Sequence, residues 1–213
     1  MHAFPPVTPA LAHERALLAR CDCKFLVPLA GVRGLLGALA GSYAAFRAGG
    51  AAIARYRSTY LDTPDLACVR DHVRVRIREY LDRDVAFLEI KHRRDERSEK
   101  QRLAVAVASA TLGMRERAFL RRRLGDGADA LIPTAEITYR RIGLVGIASD
   151  DRVSIDLDVA VAGGAWPFPD HAIVEVKRAH AGVASPARAV LGDRPAVQLS
   201  KYTTAIAATM AAA

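Results

Sequence analysis

The run Val73-Arg74-Val75-Arg76-Ile77-Arg78 alternates apolar and basic residues without a break. Successive side chains of a β-strand point to opposite faces, so this strand carries three guanidinium groups on one side and three β-branched groups on the other. The same period of two recurs further on. Phe87-Glu89-Lys91 stand against Leu88-Ile90, Arg152-Ser154-Asp156-Asp158 against Val153-Ile155-Leu157, and Glu175-Lys177 against Val174-Val176. Two arrangements satisfy such strands. The charged faces can look out at water while the apolar faces share one layer of helices. Alternatively, the sheet curls into a barrel with its charged faces inward and helices outside. A barrel of about eight strands can hold a small ligand. A charged lumen is costly to desolvate, so the barrel form implies a polyanion or water within it.

Around these strands the pattern is helical. Thr8-Pro9 pairs a capping residue with a proline in the first turn and predicts a helix over Pro9 to Arg20. A strand over Cys21 to Val27 follows. Leu29, Val32, Leu35, Leu36 and Leu39 then recur at helical spacing within Pro28 to Leu39. From Tyr56 onward the period changes to two, and five further alternating runs predict strands at Val73 to Tyr80, Ala86 to His92, Ala135 to Ile142, Arg152 to Ala160 and Ile173 to Arg178. Helices are expected at Met114 to Leu124, after Ser185-Pro186 and over Ser200 to Met210. Helices at both ends and between strands give the α+β class. With no repeat or linker, 213 residues predict a single domain over 1–213.

Composition narrows the function. The formal charge is +8, which excludes an acidic surface and favours a polyanionic ligand. Three cysteines, Cys21, Cys23 and Cys68, are too few for a disulfide framework or a zinc site. They are expected to be reduced thiols. Arg33 and Arg47 interrupt the most apolar stretch, from Phe25 to Ala54, short of the roughly 20 residues a membrane span needs. A soluble cytoplasmic protein with no membrane segment is therefore expected. The six histidines show no H-x-x-x-H spacing, and the glycines between Gly31 and Gly41 lack the lysine of a phosphate loop. Aromatics are few and lie mostly away from the arginine strands, which argues against a specific nucleic-acid partner. Asp62 and Asp65, flanking Pro64, are turn residues. Arginine outnumbers lysine 26 to five, and Lys24, Lys91 and Lys177 all fall in predicted strands, where a compact ammonium is wanted rather than a fork.

Six segments in order carry a resemblance. They are Tyr60-Leu61-Asp62-Thr63-Pro64-Asp65, Arg70-Asp71-His72, Val75-Arg76-Ile77-Arg78-Glu79-Tyr80, Phe87-Leu88-Glu89-Ile90-Lys91, Val174-Glu175-Val176-Lys177 and Leu199-Ser200-Lys201-Tyr202. Together they resemble the VTC-type polyphosphate polymerase domain, a branch of the triphosphate tunnel metalloenzymes related to CYTH domains. The resemblance implies an antiparallel β-barrel tunnel whose inward cations bind a chain of phosphates. By the same resemblance Arg76, Arg78, Lys91 and Arg141 are the catalytic cations, and Lys24, Lys100, Tyr139, Arg152, Lys177, Ser200 and Lys201 bind phosphate. Glu175 resembles the glutamate that holds Mn²⁺ or Mg²⁺, with Glu89 as a second candidate, and Asp156 and Asp158 could join that shell. Gln198 departs from the eukaryotic pattern, which tends to carry a lysine there.

Phosphoryl transfer asks a protein mainly for positioning and for charge aimed at the phosphate oxygens. The implied substrates are ATP and polyphosphate. Three activities stay open: polymerisation from ATP, which the resemblance favours; hydrolysis of triphosphates; and binding without turnover.

Overall fold

The computed structural model describes residues 4–15, 21–94, 97–107, 112–180 and 182–212. Its elements follow in the order α1 (Pro9–Glu14), β1 (Cys21–Pro28), α2 (Leu29–Leu39), β2 (Tyr43–Ala45), β3 (Ile53–Asp62), α3 (Ala67–Arg70), β4 (Val73–Tyr80), β5 (Val85–Arg94), β6 (Arg97–Val105), α4 (Met114–Leu124), β7 (Ile132–Gly146), β8 (Asp151–Val161), β9 (His171–Arg178), α5 (Pro186–Leu191) and α6 (Lys201–Ala212). The expected α+β class with antiparallel strands holds. Among the described residues the sheet has nine strands where about eight were expected, and β2 and β6 are strands that the sequence reading did not place. The helix expected as far as Arg20 ends at Glu14, and residues 16–20 lie outside the described residues. No helix among the described residues is long and apolar enough to cross a membrane.

The chain forms two compact units whose boundaries in sequence fall within β3, β7 and β8. The first comprises Met1–Arg55, Tyr139–Val159 and Phe168–Leu199. Here β9 lies between β1 and β8, antiparallel to both, and β2 pairs with the end of β7. Apolar alternation puts Phe25, Val27, Val153, Ile155, Val174 and Val176 on one face. Val32, Leu35 and Leu39 of α2 cover that face, joined by Ala187 and Leu191 of α5. Pro186 opens α5, and the Ser185 hydroxyl caps it by accepting from the Arg188 N–H, a contact worth about 1 kcal/mol. Asp151, fully buried, anchors this helix to β8. It accepts from the Tyr43 hydroxyl at 2.6 Å, from Ser185 at 2.5 Å and from Ser149 at 2.6 Å. Burial and the Asp151 carboxylate hold the Tyr43 phenol above its ordinary pKa.

The second unit comprises Tyr56–Thr138, Ala160–Pro167 and Ser200–Ala213. Strands β3, β4, β5 and β6 form an antiparallel meander. Leu61, Val75, Leu88 and Ile90 line one face, closed by Leu120 of α4 and by Ala128 of the 3-10 turn that follows it. Asp62 shapes the turn after β3 as expected. Its Oδ1 accepts the N–H groups of Thr63 and Cys68, both at 2.8 Å, and its Oδ2 accepts from the Tyr202 hydroxyl at 3.0 Å. Asp65 is exposed and paired with Arg70 at 2.7 Å. The three cysteines are free.

Candidate functional site

Each unit turns one charged sheet face away from its apolar core. In the second unit the arginines of β4 face the polar residues of β5 and β6. Tyr60, Arg76, Glu89 and Arg102 form one row across four strands. Ser58, Arg78 and Phe87 form the next, and Arg74, Lys91 and Lys100 a third. On this face of β4 to β6 the cations Arg74, Arg76, Arg78, Lys91, Lys100 and Arg102 surround one described carboxylate, Glu89.

Glu89 is 2% exposed, and cations engage both its oxygens. Arg76 donates to Oε2 from Nε at 2.9 Å and from Nη2 at 2.7 Å, while Lys100 Nζ lies 2.5 Å from Oε1. Burial works against the charged carboxylate, but Arg78, Arg76 and Lys100 outweigh it and hold Glu89 well below the usual carboxylate range. Burial pushes Lys100 down to about 8, opposed by Glu89 and assisted by Arg78. Arg78 is 7% exposed, and its Nε has no hydrogen-bond partner. The Glu89 oxygen nearest to it is at 3.8 Å, too long for a hydrogen bond. A buried guanidinium donor without an acceptor costs free energy that an arriving oxyanion would recover.

The charged face of the first unit is composed differently. Across β1, β9 and β8, Lys24, Glu175 and Ser154 form one row, and Asp22, Lys177 and Arg152 the next. Lys177 pairs with Glu175 Oε2, and Ser154 Oγ lies 3.4 Å from the same oxygen. Burial opposes the charge of Glu175, but Lys177, Lys24 and Arg141 overcome it, so the carboxyl sits well below its ordinary range. Burial likewise pushes Lys177 down to about 8 against the pull of Glu175. Arg141 on β7 makes a bidentate pair with Asp156, 1% exposed, with Nη2 to Oδ2 at 2.8 Å, and its guanidinium stacks 5.3 Å from the Tyr139 ring. Lys24 Nζ donates to the Leu199 carbonyl at 2.6 Å, and Arg152 donates to the Ala12 carbonyl at 3.1 Å and lies over Phe46. Four cations here meet three carboxylates: Lys24, Lys177, Arg141 and Arg152 against Asp22, Asp156 and Glu175.

Thus Lys24, Tyr139, Arg141, Arg152, Glu175 and Lys177 belong to the first unit, and Arg76, Arg78, Glu89, Lys91 and Lys100 to the second. Ser200 precedes α6 and Lys201 opens it, also in the second unit, with the Ser200 carbonyl accepting from Thr204 N at 2.9 Å. Two sequence expectations need correction. Asp158 does not share the environment of Asp156: its backbone is left-handed at φ +49°, which breaks the pleat. It is exposed and pairs with exposed Arg140 instead. The aromatics are not remote from the arginines. Tyr60 receives a hydrogen bond from Arg76 at 3.0 Å, Arg78 lies over Tyr56 at 5.8 Å, and Arg102 over Phe87 at 4.8 Å. Tyr60 in turn stacks on Tyr202, ring centroids 4.6 Å apart. The period-two sequence Tyr56-Ser58-Tyr60 was the available signal for these neighbours.

No group of three or more histidine, cysteine or acidic side chains comes together among the described residues. A hard divalent ion takes about six oxygens, but Mg²⁺ is commonly held by one or two carboxylates together with substrate phosphates. Glu89 is wrapped by cations and Asp156 is closed by Arg141. Glu175 is likewise engaged, by Lys177 on Oε2, so a site built from protein ligands alone does not fit, and an ion here would bring phosphate oxygens with it.

Comparison with known proteins agrees with this geometry. Among solved structures, a candidate adenylate cyclase from Bacillus halodurans superimposes with a TM-score of 0.54 at 15% identity, over 73% of this chain and 78% of that one. A candidate adenylyl cyclase from Hippeastrum, described as having dominant triphosphatase activity, gives 0.55 at 13% identity, over 89% and 95%. A third, from Vibrio parahaemolyticus, gives 0.51 at 9% identity, over 75% of each chain. These likenesses establish a shared fold. No curated protein matches the chain. The VTC domain matches residues 19–210 and so takes in both charged faces and nearly every element that positions them. The chain belongs to the VTC domain family.

Proposed function

We propose that the protein is a metal-dependent polyphosphate polymerase. The observation that carries this reading is the second unit's charged face, where Arg76, Arg78 and Lys100 converge on Glu89 and the buried Arg78 Nε lacks an acceptor. A terminal oxygen of the growing chain attacks the γ-phosphorus of ATP, the bond from that phosphorus to the bridging oxygen breaks, and ADP leaves. Arg76 and Arg78 grip successive phosphates, with Lys91 and Lys100 adding point charges. Arg141, Lys24, Lys177, Arg152, Tyr139, Ser200 and Lys201 are the further phosphate contacts of this reading. Glu175 is the protein ligand for Mn²⁺ or Mg²⁺, and such an ion offsets the repulsion among phosphate oxygens. Glu89 serves as the countercharge that orients Arg76 and Lys100.

Hydrolysis is the second reading, favoured by the triphosphatase activity described for the Hippeastrum protein. Water then replaces the chain oxygen as nucleophile, and the cations keep their roles. Incubation with ATP and Mn²⁺ or Mg²⁺, and separately with tripolyphosphate, followed by a gel that resolves phosphate chains, distinguishes the readings. Long chains from ATP are the expected result. Free phosphate from tripolyphosphate without elongation would make the protein a hydrolase. Neither product would leave a binding module.

A further inference from the structure

Helix α4 packs on the apolar side of the second unit's sheet, opposite the face that holds Arg76 and Arg78. Leu120 is fully buried in that core, with Phe119 and Leu124 packed against it. The rest of the helix is cationic: Arg115, Arg117, Arg121, Arg122 and Arg123 occur in eleven residues with one acid, Glu116. All five arginines are exposed. Arg121 is fixed by Asp129, 2.8 Å from Nη2 to Oδ2, and Arg117 Nε donates to the Leu112 carbonyl at 3.1 Å. Arg115, Arg122 and Arg123 have no ion pair or hydrogen bond with any described residue. Some exposed arginines elsewhere do have acid partners, as Arg70 has Asp65 and Arg140 has Asp158.

Arg115 and Arg122 are seven residues apart, which places them on one line along the helix about 10 Å apart. That spacing is too wide for one phosphate to bridge and suits an extended linear polyanion. Fixed cations without internal partners carry solvent counterions, whose release on binding such a polymer is favourable. We infer that the outer face of α4 is a second, non-catalytic binding site for long inorganic polyphosphate. It would hold the chain on the side of the sheet away from the phosphate-gripping face. This rests on the reading that polyphosphate is the protein's ligand, and it adds a preference for chain length that the gripping face alone does not give.

The test is the full chain carrying R115Q, R122Q and R123Q together, compared with wild type for binding of tripolyphosphate and of a polyphosphate of roughly a hundred units across a salt series. Leu120 and the Arg121–Asp129 pair are untouched, and an unchanged thermal midpoint checks the fold. The expected result is a loss of about tenfold or more in long-chain affinity, with the slope of log affinity against log salt reduced by roughly two to three. Tripolyphosphate affinity and turnover stay at wild-type values. Unchanged long-chain affinity would overturn the inference, as would an equal loss for tripolyphosphate. So would a loss confined to single-stranded DNA or anionic vesicles as competing probes, which would give the face a different partner. Wild-type protein that binds neither phosphate probe would instead refute the proposed function itself.

Discussion

The two charged faces use the same residue types in different proportions. Among the described residues, the face with Glu89 carries six cations and one carboxylate, whereas the face with Glu175 carries four cations and three carboxylates. A cation-rich face can accept phosphate directly, because the buried Arg78 Nε has no acceptor and an arriving oxyanion supplies one. A nearly balanced face cannot, since each added phosphate leaves uncompensated negative charge in a partly desolvated place. The incoming group must bring its own positive charge, and a divalent ion does so. Under the proposed function this contrast is why the phosphate grip falls to Arg76 and Arg78 and the metal to Glu175, although both glutamates are well buried and both are held far below their ordinary range.

The strongest way to break the comparison is to remove charge from the cation-rich face. Arg76→Ala should lower kcat by about 10²–10³, the scale typical of losing one preorganised donor to developing charge. Steady-state kinetics on ATP, with circular dichroism as a check of the fold, measures this, and near wild-type turnover would remove Arg76 from the grip. A smaller effect separates the two glutamates. Glu175→Gln should weaken apparent Mn²⁺ or Mg²⁺ affinity by about 10–100-fold in activity titrations, as loss of a charged ligand does. Glu89→Gln should leave the metal midpoint in place while lowering the thermal midpoint of the ligand-free protein, because Arg76, Arg78 and Lys100 then repel without a countercharge.

The smallest effect is on pH. Lys100 and Lys177 are each pushed down to about 8 from 10.5, chiefly by burial. Under the proposed function both act as ammonium groups, and the protonated fraction of each falls about eightfold between pH 7.5 and 9, so polyanion affinity should fall roughly tenfold or more over that range. Binding above pH 8 should also take up protons, measurable as a buffer-dependent heat. The stability term has the opposite sign. Between about 8 and 10.5 the unfolded chain holds more protons on these lysines than the folded one, so this contribution stabilises the fold as pH rises. A pH-independent affinity over that range would show that neither ammonium contacts the ligand.

Much of this arrangement was legible from side-chain period alone. Strand β4 was expected at Val73 to Tyr80 and is found there, because every second residue is either buried or basic. The opposed faces of β5 and β9 followed for the same reason. Strand β6 was not foreseen, since Arg97-Ser98-Glu99-Lys100-Gln101-Arg102 places polar groups on both faces and no apolar alternation appears before Leu103. Its position brings Lys100 onto Glu89 and Arg102 into the cationic row, so the full charge imbalance of that face was hidden. Asp158 was misplaced because a period of two assumes an unbroken pleat, and the left-handed residue interrupts it. The closure of Arg141 on Asp156 depends on how β7 and β8 lie against each other, which neither strand encodes by itself. The choice between Glu89 and Glu175 likewise turns on which cations the neighbouring strands bring opposite each.

The most direct measurement is calorimetric titration of tripolyphosphate into strictly metal-free protein, for wild type, Arg76→Ala and Glu175→Gln. The account predicts measurable metal-free binding that weakens at least about tenfold in Arg76→Ala and stays within about twofold of wild type in Glu175→Gln. Metal-free binding that survives Arg76→Ala and disappears in Glu175→Gln would contradict it.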